Sequence, residues 1–411
     1  MPSVIVVGAG VLGASVAYQL SRAGAEVTVL EARRPASGAS GGTFAWVNAQ
    51  EKRPAGYFAL NAEGVTAYPS LAATLGGDWY HPGGDVTIAR GPAMAGLQQR
   101  VERHAALGYP VRFVDRAALA DLEPGLELGP DALLAAHWEA EAWVDAPALI
   151  DRLLAAARAA GGRVLSRASV VELDLHGRRL RHVGLASGDR LSADLVLVAA
   201  GTATEGIARR AGVALPMSPS PGLLALTQPV ATGVRHIVHA GNVALRPDGR
   251  GRLLLSSREI DAALDASIRE MAPDAEPCRE LLARAARIVP NLNSARIEST
   301  RIGIRSVPID GLPAAGFAPS IENAYFLASH SGVSLAPVLG RLVAAELLGE
   351  VQPELEPYRL DRFAAAGDAV RVAPPLDPTA ADRFLPAGPV SWARPPTAGR
   401  INAAERGVLG E

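Results

Sequence analysis

The sequence predicts an α/β fold: a Rossmann-type dinucleotide-binding domain joined to a second, α+β domain built on a mixed or antiparallel sheet. Three observations carry this prediction. The β-branched and apolar run over 3–8 is typical of a strand buried on both faces of a parallel sheet. Gly8, Gly10 and Gly13 follow at the G-x-G-x-x-G spacing. A second apolar strand, "LVLVAAG", ends at Gly201 and indicates a return to the first sheet, so the dinucleotide domain is expected to be discontinuous.

The first strand, helix and strand can be placed in order. A helix is predicted from Val11 to Ala23, with Gly24 just beyond its end, where glycine tolerates a left-handed backbone. The strand "EVTVLE" follows and ends at Glu31. Together they take roughly thirty residues, the length that a βαβ crossover needs.

The rest of the chain is predicted to mix helices and strands. Helices are predicted from Tyr57, from Ala93 and from near Asp145, with the strand "GGDVTIAR" between the first two. A strand, a meander and a strand lead to Gly201, and "NVALRPDGRGRLLLSS" reads as a hairpin with its turn at "PDG". Two helical stretches come next. The strand "AYFLAS", the loop "HSGVS" and a helix close the regular part, and 351–411 are predicted to be a loosely structured, Pro-rich tail.

Composition limits the partners. The 411 residues carry a formal net charge of −2 with acids and bases interspersed, which leaves no basic surface for nucleic acid or an anionic membrane. Cys278 is the only cysteine, so an intramolecular disulfide and a cysteine-held metal cluster are excluded. Lys52 is the only lysine, an arginine bias that indicates a bacterial coding sequence. The N-terminus lacks a basic n-region, so a soluble, cytoplasmic monomer or homo-oligomer is expected.

Each glycine of the fingerprint has a physical task. Gly8 allows the tight turn, Gly10 lets backbone N–H groups approach a pyrophosphate, and Gly13 lets the helix pack against the strand. The helix N-terminus favours the negative charge of the pyrophosphate. Glu31 is placed to accept hydrogen bonds from a ribose diol. The alternative is a packing turn that binds no ligand, and both NAD and FAD satisfy this fingerprint.

The loop after Glu31 favours FAD over NAD. "RRPASGASGG" is rich in small residues, so its backbone is able to run along a second stretch of phosphate or flavin. An NAD dehydrogenase does not require such a loop, nor the further strand–loop–helix junction near the C-terminus. The alternative for the loop is a merely flexible connection.

Six segments, in order, resemble the FAD-dependent D-amino acid oxidase superfamily, which contains glycine oxidase, sarcosine oxidase and D-amino acid dehydrogenases. They are "VIVVGAGVLGASVAYQLSRAGAEVTVLEA", "GASGGTFAWVNA", "WVDAPALIDRLLAAARAAGGRV", "LVLVAAGT", "GIRSVPIDGLPAAG" and "NAYFLASHSGVSLAPVLGRLVAAELL". The resemblance covers roughly residues 1–350 and is weak between about 55 and 130. It implies an FAD domain over 1–52, 140–215 and 296–350, a substrate domain over 53–139 and 216–295, and the tail 351–411.

The resemblance also implies which residues hold FAD. The ADP half is assigned to Gly8, Gly10, Gly13, Glu31, Ser40, Gly41 and Gly42. Val170 or Val171, with Val171 as the candidate, offers a backbone contact near the adenine, and Gly201 is the small residue beside the cofactor. In the family the "HSGVS" loop lies against the flavin ring, where a helix N-terminus stabilises the negative charge of reduction. The candidates there are His330, Gly332, Val333 and Ser334.

Arg305 in "GIRSVPIDG" matches the position at which an arginine holds the substrate carboxylate in glycine oxidase, a role that suits a planar guanidinium. The alternative is a salt-bridged strand arginine, and Ser220 stands where many relatives have an arginine. Arg305 and His330 are the candidate catalytic residues.

The substrate pocket is predicted to contain Trp46, Asn48, Tyr57, His81 and Arg305, although such aromatic and His residues are commonly part of a core. His236 and His239 would share a helix face, but no acid or Cys accompanies them, so no metal is predicted.

Two departures from the family concern the flavin. Sarcosine oxidases attach flavin through a cysteine in the segment that matches Gly303; Cys278 lies outside that segment, so FAD is expected to be non-covalent. Those oxidases also use a lysine near the flavin to react with oxygen. The matching strand here is about "RLLLSS", which contains no lysine, and the only lysine, Lys52, is elsewhere in the sequence, so oxygen is not the assured electron acceptor. The predicted function is oxidation of a C–N bond of a small amine or amino acid. The alternatives are a dehydrogenase with another electron acceptor, a biosynthetic oxidase of a larger amine, and a flavin-binding module without turnover.

Overall fold

The computed structural model of the protein describes residues 1–265 and 267–363. The helices among them are α1 (Val11–Arg22), α2 (Ala55–Leu75), α3 (Ala93–Ala106), α4 (Arg116–Leu122), α5 (Ala146–Ala159), α6 (Thr204–Arg210), α7 (Arg258–Ala263), α8 (Glu276–Ala286) and α9 (Gly332–Leu347). The strands are β1 (Ser3–Val7), β2 (Glu26–Glu31), β3 (Trp46–Val47), β4 (Tyr80–Pro82), β5 (Asp85–Ala89), β6 (Val111–Val114), β7 (Leu134–Trp138), β8 (Ala142–Val144), β9 (Arg163–Ser166), β10 (Val170–His176), β11 (Arg179–Leu185), β12 (Arg190–Leu191), β13 (Leu195–Val198), β14 (Ser220–Thr227), β15 (Ile237–Ala240), β16 (Val243–Pro247), β17 (Leu253–Ser256), β18 (Ile297–Arg305), β19 (Ala314–Phe317) and β20 (Ala324–Ala328).

A six-stranded sheet forms the dinucleotide domain. Its strand order is β19-β20-β13-β1-β2-β9, and every pairing except β19–β20 is parallel. The predicted return of the chain to the first sheet is confirmed by β13, which pairs with β1 from Val4↔Leu195 to Val7↔Val198. Helix α1 ends at Arg22, and Gly24 follows with a φ of 87°.

The central strand β1 is buried on both faces, as its apolar run predicts. Val4 and Val6 belong to the core cluster that contains residues of α1, α5 and α9. Ile5 and Val7 point to the opposite face, where they join residues of β11 and α6. Because side chains alternate along a strand, one five-residue segment supplies both layers of the domain.

Helix α9 lies unusually close to α1 because small residues meet at their contact. A Cβ atom on Gly340 would stand 2.2 Å from Ser15 Oγ, which itself donates a 2.6 Å hydrogen bond to the Ala336 carbonyl. Pro337 lacks the N–H that would bond to the Val333 carbonyl inside the helix. The hydroxyl of Tyr68, in α2, donates to that carbonyl instead, at 2.5 Å. These contacts fix the position of the N-terminal end of α9.

The second domain is built on an eight-stranded sheet of order β18-β14-β17-β16-β15-β5-β7-β6. Only β5 and β15 pair in parallel, so the sheet is mixed, as predicted. Helix α8 packs on it and buries Cys278 in the core. The segment 297–305 forms β18 of this sheet, whereas the expected domain ranges assign it to the FAD domain. The ranges remain a prediction, and this pairing suggests that 297–305 belong with the substrate domain.

The first part of the C-terminal tail is packed rather than loosely structured, which corrects the prediction for 351–363. Two 3₁₀ helices, Pro353–Tyr358 and Leu360–Phe363, bury Leu355 and Tyr358 in the core. Arg359 also pairs with Glu346 of α9. The remainder of the predicted tail, 364–411, lies outside the described residues. In the part of the chain that the structure describes, no helix is long and apolar enough to cross a bilayer.

Candidate functional site

The dinucleotide domain and the mixed sheet enclose one continuous cavity of about 2370 Å³. Glu31 lines one end of it, beside the carboxyl end of β1. The N-terminus of α9 and the side chain of Arg305 line it further along. The cavity therefore connects the predicted cofactor residues to the predicted substrate residues.

The glycine fingerprint is shaped by close backbone approach. Gly8 has a φ of 106°, and a Cβ atom there would stand 2.5 Å from the Ala199 carbonyl oxygen. A Cβ atom on Gly13 would stand 2.1 Å from the Gly8 carbonyl, so Gly13 serves helix–strand packing and does not line the cavity. Gly10 is different, because a Cβ atom there would approach only Ser40 Oγ, at 3.3 Å. Its missing side chain leaves space in the cavity.

The groups around that space suit a dinucleotide. Gly10 caps α1 without a side-chain hydrogen bond, which leaves the helix N-terminus facing the cavity. Ser40 Oγ accepts from Val11 N at 3.1 Å. The Glu31 carboxylate is oriented by Ala9 N and Arg33 N, each at 2.9 Å, and retains further acceptor positions. A cradle open at Gly10, a helix dipole and an oriented acid together fit the ADP half of FAD.

The other predicted cofactor residues differ in where they lie. Ser40, Gly42, Gly201, His330, Gly332, Val333 and Ser334 all line the cavity. Gly41 does not, because it lies against the Ala36 carbonyl within its own loop. Val170 lines the cavity and Val171 does not; the Val171 carbonyl accepts from Arg210 at 3.3 Å, and the backbone contact near the adenine stays a prediction.

The N-terminus of α9 is held by residues 46–57 through two serines. Ser331 Oγ accepts from Lys52 Nζ at 3.0 Å and from Tyr57 OH at 2.8 Å. Ser334 Oγ accepts from Asn48 N at 3.0 Å and donates to the Trp46 carbonyl at 3.3 Å. Ser331 makes no side-chain cap to the helix. The first N–H groups of α9 therefore face the cavity, the arrangement expected for the flavin end.

Lys52 lies beside the N-terminus of α9, although it is not on β17, the strand that "RLLLSS" forms. Its ammonium is also 6.0 Å from the centre of the Tyr57 ring. Burial lowers the pKa of Lys52 to about 8, and Arg258 lowers it further, although Glu141 and Glu51 act in the opposite direction. Lys52 therefore changes charge close to physiological pH.

His330 experiences the same environment. Burial lowers the pKa of His330 to about 4, and the positive charges of Lys52, Arg305 and Arg258 contribute in that order. The imidazole is neutral at pH 7, so it provides a hydrogen-bonding group and not a charge. The part of the cavity around His330 has a positive potential.

Arg305 lines the cavity, but its guanidinium group is already bonded to other groups of the protein. Its NH2 group pairs with Asp261, and its NH1 group donates to the Pro221 carbonyl at 2.8 Å and to Ser220 Oγ at 3.2 Å. These contacts use three of the five guanidinium donors and leave two. Gly222 makes the position possible, because a Cβ atom there would stand 2.5 Å from Arg305 NH2. The structure thus shows the salt-bridged arginine that the sequence left as an alternative, at a place where it still faces the cavity.

Two buried carboxylates lie behind the cavity wall. Glu141 is 1% exposed and accepts from Trp46 Nε1 at 2.8 Å, Gln50 Nε2 at 2.9 Å and Tyr109 OH at 2.9 Å. Asp85 accepts from Gln50 at 3.3 Å and contacts His239 Nδ1. Burial, and then the charge of Asp85, raise the pKa of Glu141 well above its usual value. This network holds Trp46 and Gln50, which both line the cavity.

Residues 3–346 match the model of the FAD dependent oxidoreductase family, abbreviated DAO. The protein belongs to this family. It is therefore an FAD-dependent oxidoreductase, as the resemblance implied.

Individual relatives of this DAO protein agree with that assignment. It is 27% identical to a glycine oxidase of Geobacillus kaustophilus over 378 residues, which cover 87% of this chain and 96% of the relative. It is 25% identical to a glycine oxidase of Bacillus licheniformis over 371 residues, with 87% and 96% covered. The crystal structure of the Geobacillus kaustophilus glycine oxidase superimposes with a TM-score of 0.77, covering 87% of this chain and 98% of that one at 25% identity.

Two of the predicted pocket residues in this DAO protein lie outside the cavity. His81 stacks on the Trp143 ring, with the ring centres 3.7 Å apart, and does not line the cavity. Tyr57 is buried behind the cavity wall and contacts two residues that line the cavity: it donates to Ser331 Oγ, and its ring lies beside the Lys52 ammonium. Trp46 and Asn48 do line the cavity. Burial raises the pKa of Tyr57, so its hydroxyl stays a donor.

His236 and His239 are not on a helix. His239 lies on β15, and His236 is the residue directly before that strand. Each ring contacts a buried acid: His236 Nδ1 is 2.5 Å from Glu123, and His239 contacts Asp85. Within 1–265 and 267–363, no three His, Cys, Asp or Glu side chains are grouped to hold a metal ion. His239 also packs on Trp46, with ring centres 4.4 Å apart, and lines the cavity.

Sequence reasoning missed the charged residues of the substrate end. Helix α3 presents Gly96, Arg100 and Arg103 to the cavity, while Leu97 and Val101 are buried. The helical spacing of the two arginines was the available signal. Arg258, at the start of α7, and Asp261 lie in the cavity wall for reasons that only the tertiary structure shows.

Proposed function

We propose that this protein oxidises a C–N bond of a small amine or amino acid to an imine, with non-covalently bound FAD as the hydride acceptor. The observation that carries the proposal is the continuous cavity, which joins a dinucleotide cradle to a cationic chamber at the N-terminus of α9. The glycine oxidases of Geobacillus kaustophilus and Bacillus licheniformis, to which the chain is similar, support it. The buried position of Cys278 in α8 supports a non-covalent cofactor.

The chain's own residues divide into two roles. The cradle at Gly10, with Ser40 and Glu31, would hold the ADP half of FAD, and the N-terminus of α9 would hold the flavin end. When bound, FAD supplies the acceptor for two electrons and the hydrogen from the carbon beside the nitrogen. The two unused donors of Arg305 suit a substrate carboxylate, and Asp261 orients that guanidinium.

The chamber also sets the protonation state of the substrate. Hydride loss requires the free amine, because its lone pair forms the C=N bond of the imine. The environment that lowers the pKa of Lys52 to about 8 and of His330 to about 4 disfavours a substrate ammonium in the same way. The amine therefore binds unprotonated without a dedicated base, and water later hydrolyses the released imine.

An anaerobic reduction experiment tests this function. Purified protein is loaded with FAD and mixed with a panel of amines and amino acids without oxygen, while the flavin absorbance near ~450 nm is followed. We expect one or more members of the panel to bleach the flavin. Protein that stays colourless after added FAD would contradict the cofactor assignment. Bound flavin that no amine bleaches would contradict amine oxidation.

The same experiment addresses the electron acceptor. Admission of air after bleaching gives the rate of reoxidation. Rapid reoxidation supports an oxidase, and slow reoxidation supports a dehydrogenase that uses another acceptor.

A further inference from the structure

Cationic side chains outnumber acidic ones around the chamber at the N-terminus of α9. Six cationic side chains line the cavity around α7, the start of α2 and the inner face of α3: Lys52, Arg53, Arg100, Arg103, Arg258 and Arg305. Three acids, Glu51, Glu259 and Asp261, line the same region, and Glu259 of α7 pairs with Arg284 of α8 at 3.0 Å. An excess of positive charge in a partly enclosed space is unfavourable unless a ligand balances it.

The other two acids, Glu51 and Asp261, are also paired with arginines. One oxygen of Glu51 contacts Arg100, and the other accepts from Arg258 NH1 at 2.8 Å. The pKa of Glu51 is lowered although its burial acts in the opposite direction, because these two arginines favour the ionised form. Asp261 pairs with Arg305 and accepts from Leu223 N at 2.8 Å. Neither acid is available to a third cation.

The three remaining cations form what we call the basic wall: Lys52, Arg53 and Arg103. Among the described residues, none of the three makes an ion pair with a carboxylate; the Lys52 ammonium donates to the neutral hydroxyl of Ser331 and lies 6.0 Å from the centre of the Tyr57 ring. Burial lowers the pKa of Arg103, and the nearby charges of Arg53 and Arg100 lower it further. Nε of Arg100 is also buried without a hydrogen-bond partner. The wall thus carries positive charge that no carboxylate of the described chain pairs with, and an unsatisfied donor of Arg100 lies beside it.

The cofactor phosphates do not account for the basic wall. The cradle expected to hold them is built from Gly10, Ser40 and the N-terminus of α1. Lys52 instead lies at Ser331, beside the N-terminus of α9. A solvated surface arginine would explain Arg53, which is exposed, but not the half-buried Arg103 or Lys52.

We propose that the basic wall binds an acidic group of the substrate that is remote from the amine, so that the substrate is an amine bearing two acidic groups. This inference rests on the proposed function, because the first acidic group is the one assigned to Arg305. Guanidinium groups bind carboxylates and phosphonates through paired hydrogen bonds, so either chemistry fits the wall.

A binding experiment tests the wall without turnover. Oxidised, FAD-loaded protein is titrated with glutarate, with 4-phosphonobutanoate and with pentanoate, and binding is followed by the visible flavin spectrum and by calorimetry. We expect the two diacids to bind about 10-fold or more tightly than pentanoate. A preference between glutarate and 4-phosphonobutanoate identifies the acidic group. Equal affinities for all three would overturn the proposal.

Matched variants locate the effect. Arg103→Gln and, separately, the more exposed Arg53→Gln should each remove most of the diacid preference and change pentanoate binding less than about 2-fold. Arg181→Gln is the control, because Arg181 is exposed on β11 and does not line the cavity. A diacid preference that survives both wall variants would contradict the assignment to these residues.

Anaerobic reduction separates this proposal from the proposed function. Glutamate carries a carboxylate where 2-aminopentanoate carries a methyl group, and we expect racemic glutamate to bleach the flavin with a lower apparent Kd than racemic 2-aminopentanoate. If both bleach it equally well, the wall has no role and amine oxidation stands. If neither they nor any other amine bleaches it, amine oxidation fails, and the diacid titrations still decide whether the wall binds anions.

Discussion

The two ends of the cavity are built by different physical means. The cofactor end is shaped by backbone: Gly8, Gly10 and Gly13 lie within six consecutive residues, where Gly8 and Gly13 allow close backbone packing and the missing side chain of Gly10 leaves space in the cavity. The substrate end is shaped by charged side chains from separate segments, such as Lys52 and Arg305. Steric fit dominates at the first end and electrostatic balance at the second. A substitution at the cofactor end should therefore change the stability of the fold or the affinity for FAD. A substitution at the substrate end should change the affinity for the substrate or an acidic ligand, and the pH dependence of that affinity.

The largest expected effect separates two glycines of the same cradle. Gly8→Ala places a Cβ atom 2.5 Å from the Ala199 carbonyl at a φ of 106°, and we expect it to lower the free energy of unfolding by about 4 kcal/mol. Gly10→Ala meets only Ser40 Oγ, so we expect a folded protein with FAD affinity lowered about 10-fold or more. Denaturant unfolding and flavin fluorescence titration measure the two. Equal loss of stability in both variants would show that Gly10 is also a packing glycine.

The next largest effect concerns the hydrogen-bond network of Glu141 behind the cavity wall. Glu141→Ala leaves the donors of Trp46, Gln50 and Tyr109 without their shared acceptor, and we expect a loss of about 3 kcal/mol in the free energy of unfolding. Glu141→Gln keeps an acceptor oxygen and should lose about 1 kcal/mol near pH 5. Thermal or urea unfolding measures both. A tolerated Glu141→Ala would show that the network contributes little to stability.

The pH dependence of Glu141 has a definite sign. Its pKa is raised in the folded state, so the folded protein retains a proton that the unfolded chain loses above its ordinary pKa of 4.5. The free energy of unfolding of the wild type should therefore fall relative to Glu141→Gln as the pH rises above 4.5. Urea unfolding of both proteins at about pH 5 and about pH 8 measures the difference. A constant difference would contradict a raised pKa.

A smaller effect sharpens the contrast at Lys52. Lys52 is a cation below its folded pKa of about 8, so glutarate affinity should be full below that pH and fall as the pH rises through it. The titratable groups around the Lys52 ammonium are Glu141, Arg258, Glu51 and Tyr57. His330 is already neutral in this pH range because its pKa is about 4. The Lys52→Met variant should bind glutarate about 5-fold more weakly at pH 7, and its glutarate affinity should not fall as the pH rises through about 8. Titrations at several pH values measure this, and a parallel fall in both proteins would assign it to another group.

The smallest expected effect has the opposite direction. Glu51→Gln releases Arg100 and Arg258 from their shared acid, so the chamber becomes more positive. Glutarate should bind about 3-fold more tightly, with pentanoate changed less. Calorimetric titration measures the change, and weaker diacid binding would show that Glu51 positions the arginines more than it neutralises them.

The sequence was a good guide wherever a function depends on local spacing. The helix predicted from Val11 to Ala23 occupies Val11–Arg22, and the strand before it is the centre of the sheet. In contrast, the bond between Lys52 and Ser331 joins residues 279 positions apart, and no local pattern signals it. The pair Arg305 and Asp261 is likewise a tertiary contact between a strand and a short helix.

Loop and tail residues were harder to predict for a related reason. Burial of Leu355 in the C-terminal tail follows from the surface that α9 and β19 present, not from the tail's own composition. The sequence could not decide which of Val170 and Val171 lines the cavity, because the facing of a strand cannot be assigned until its pairing is known; in the structure Val170 does.

Lys52 has one further consequence, which follows from its being the only lysine in the chain. Apart from the N-terminus, an amine-directed reagent has a single primary amine to modify, and that amine lies in the cavity wall. With a pKa of about 8, Lys52 is substantially in its reactive neutral form under mildly alkaline conditions. The unaltered protein thus carries an internal chemical reporter: the rate at which Lys52 is acylated records whether the chamber is filled.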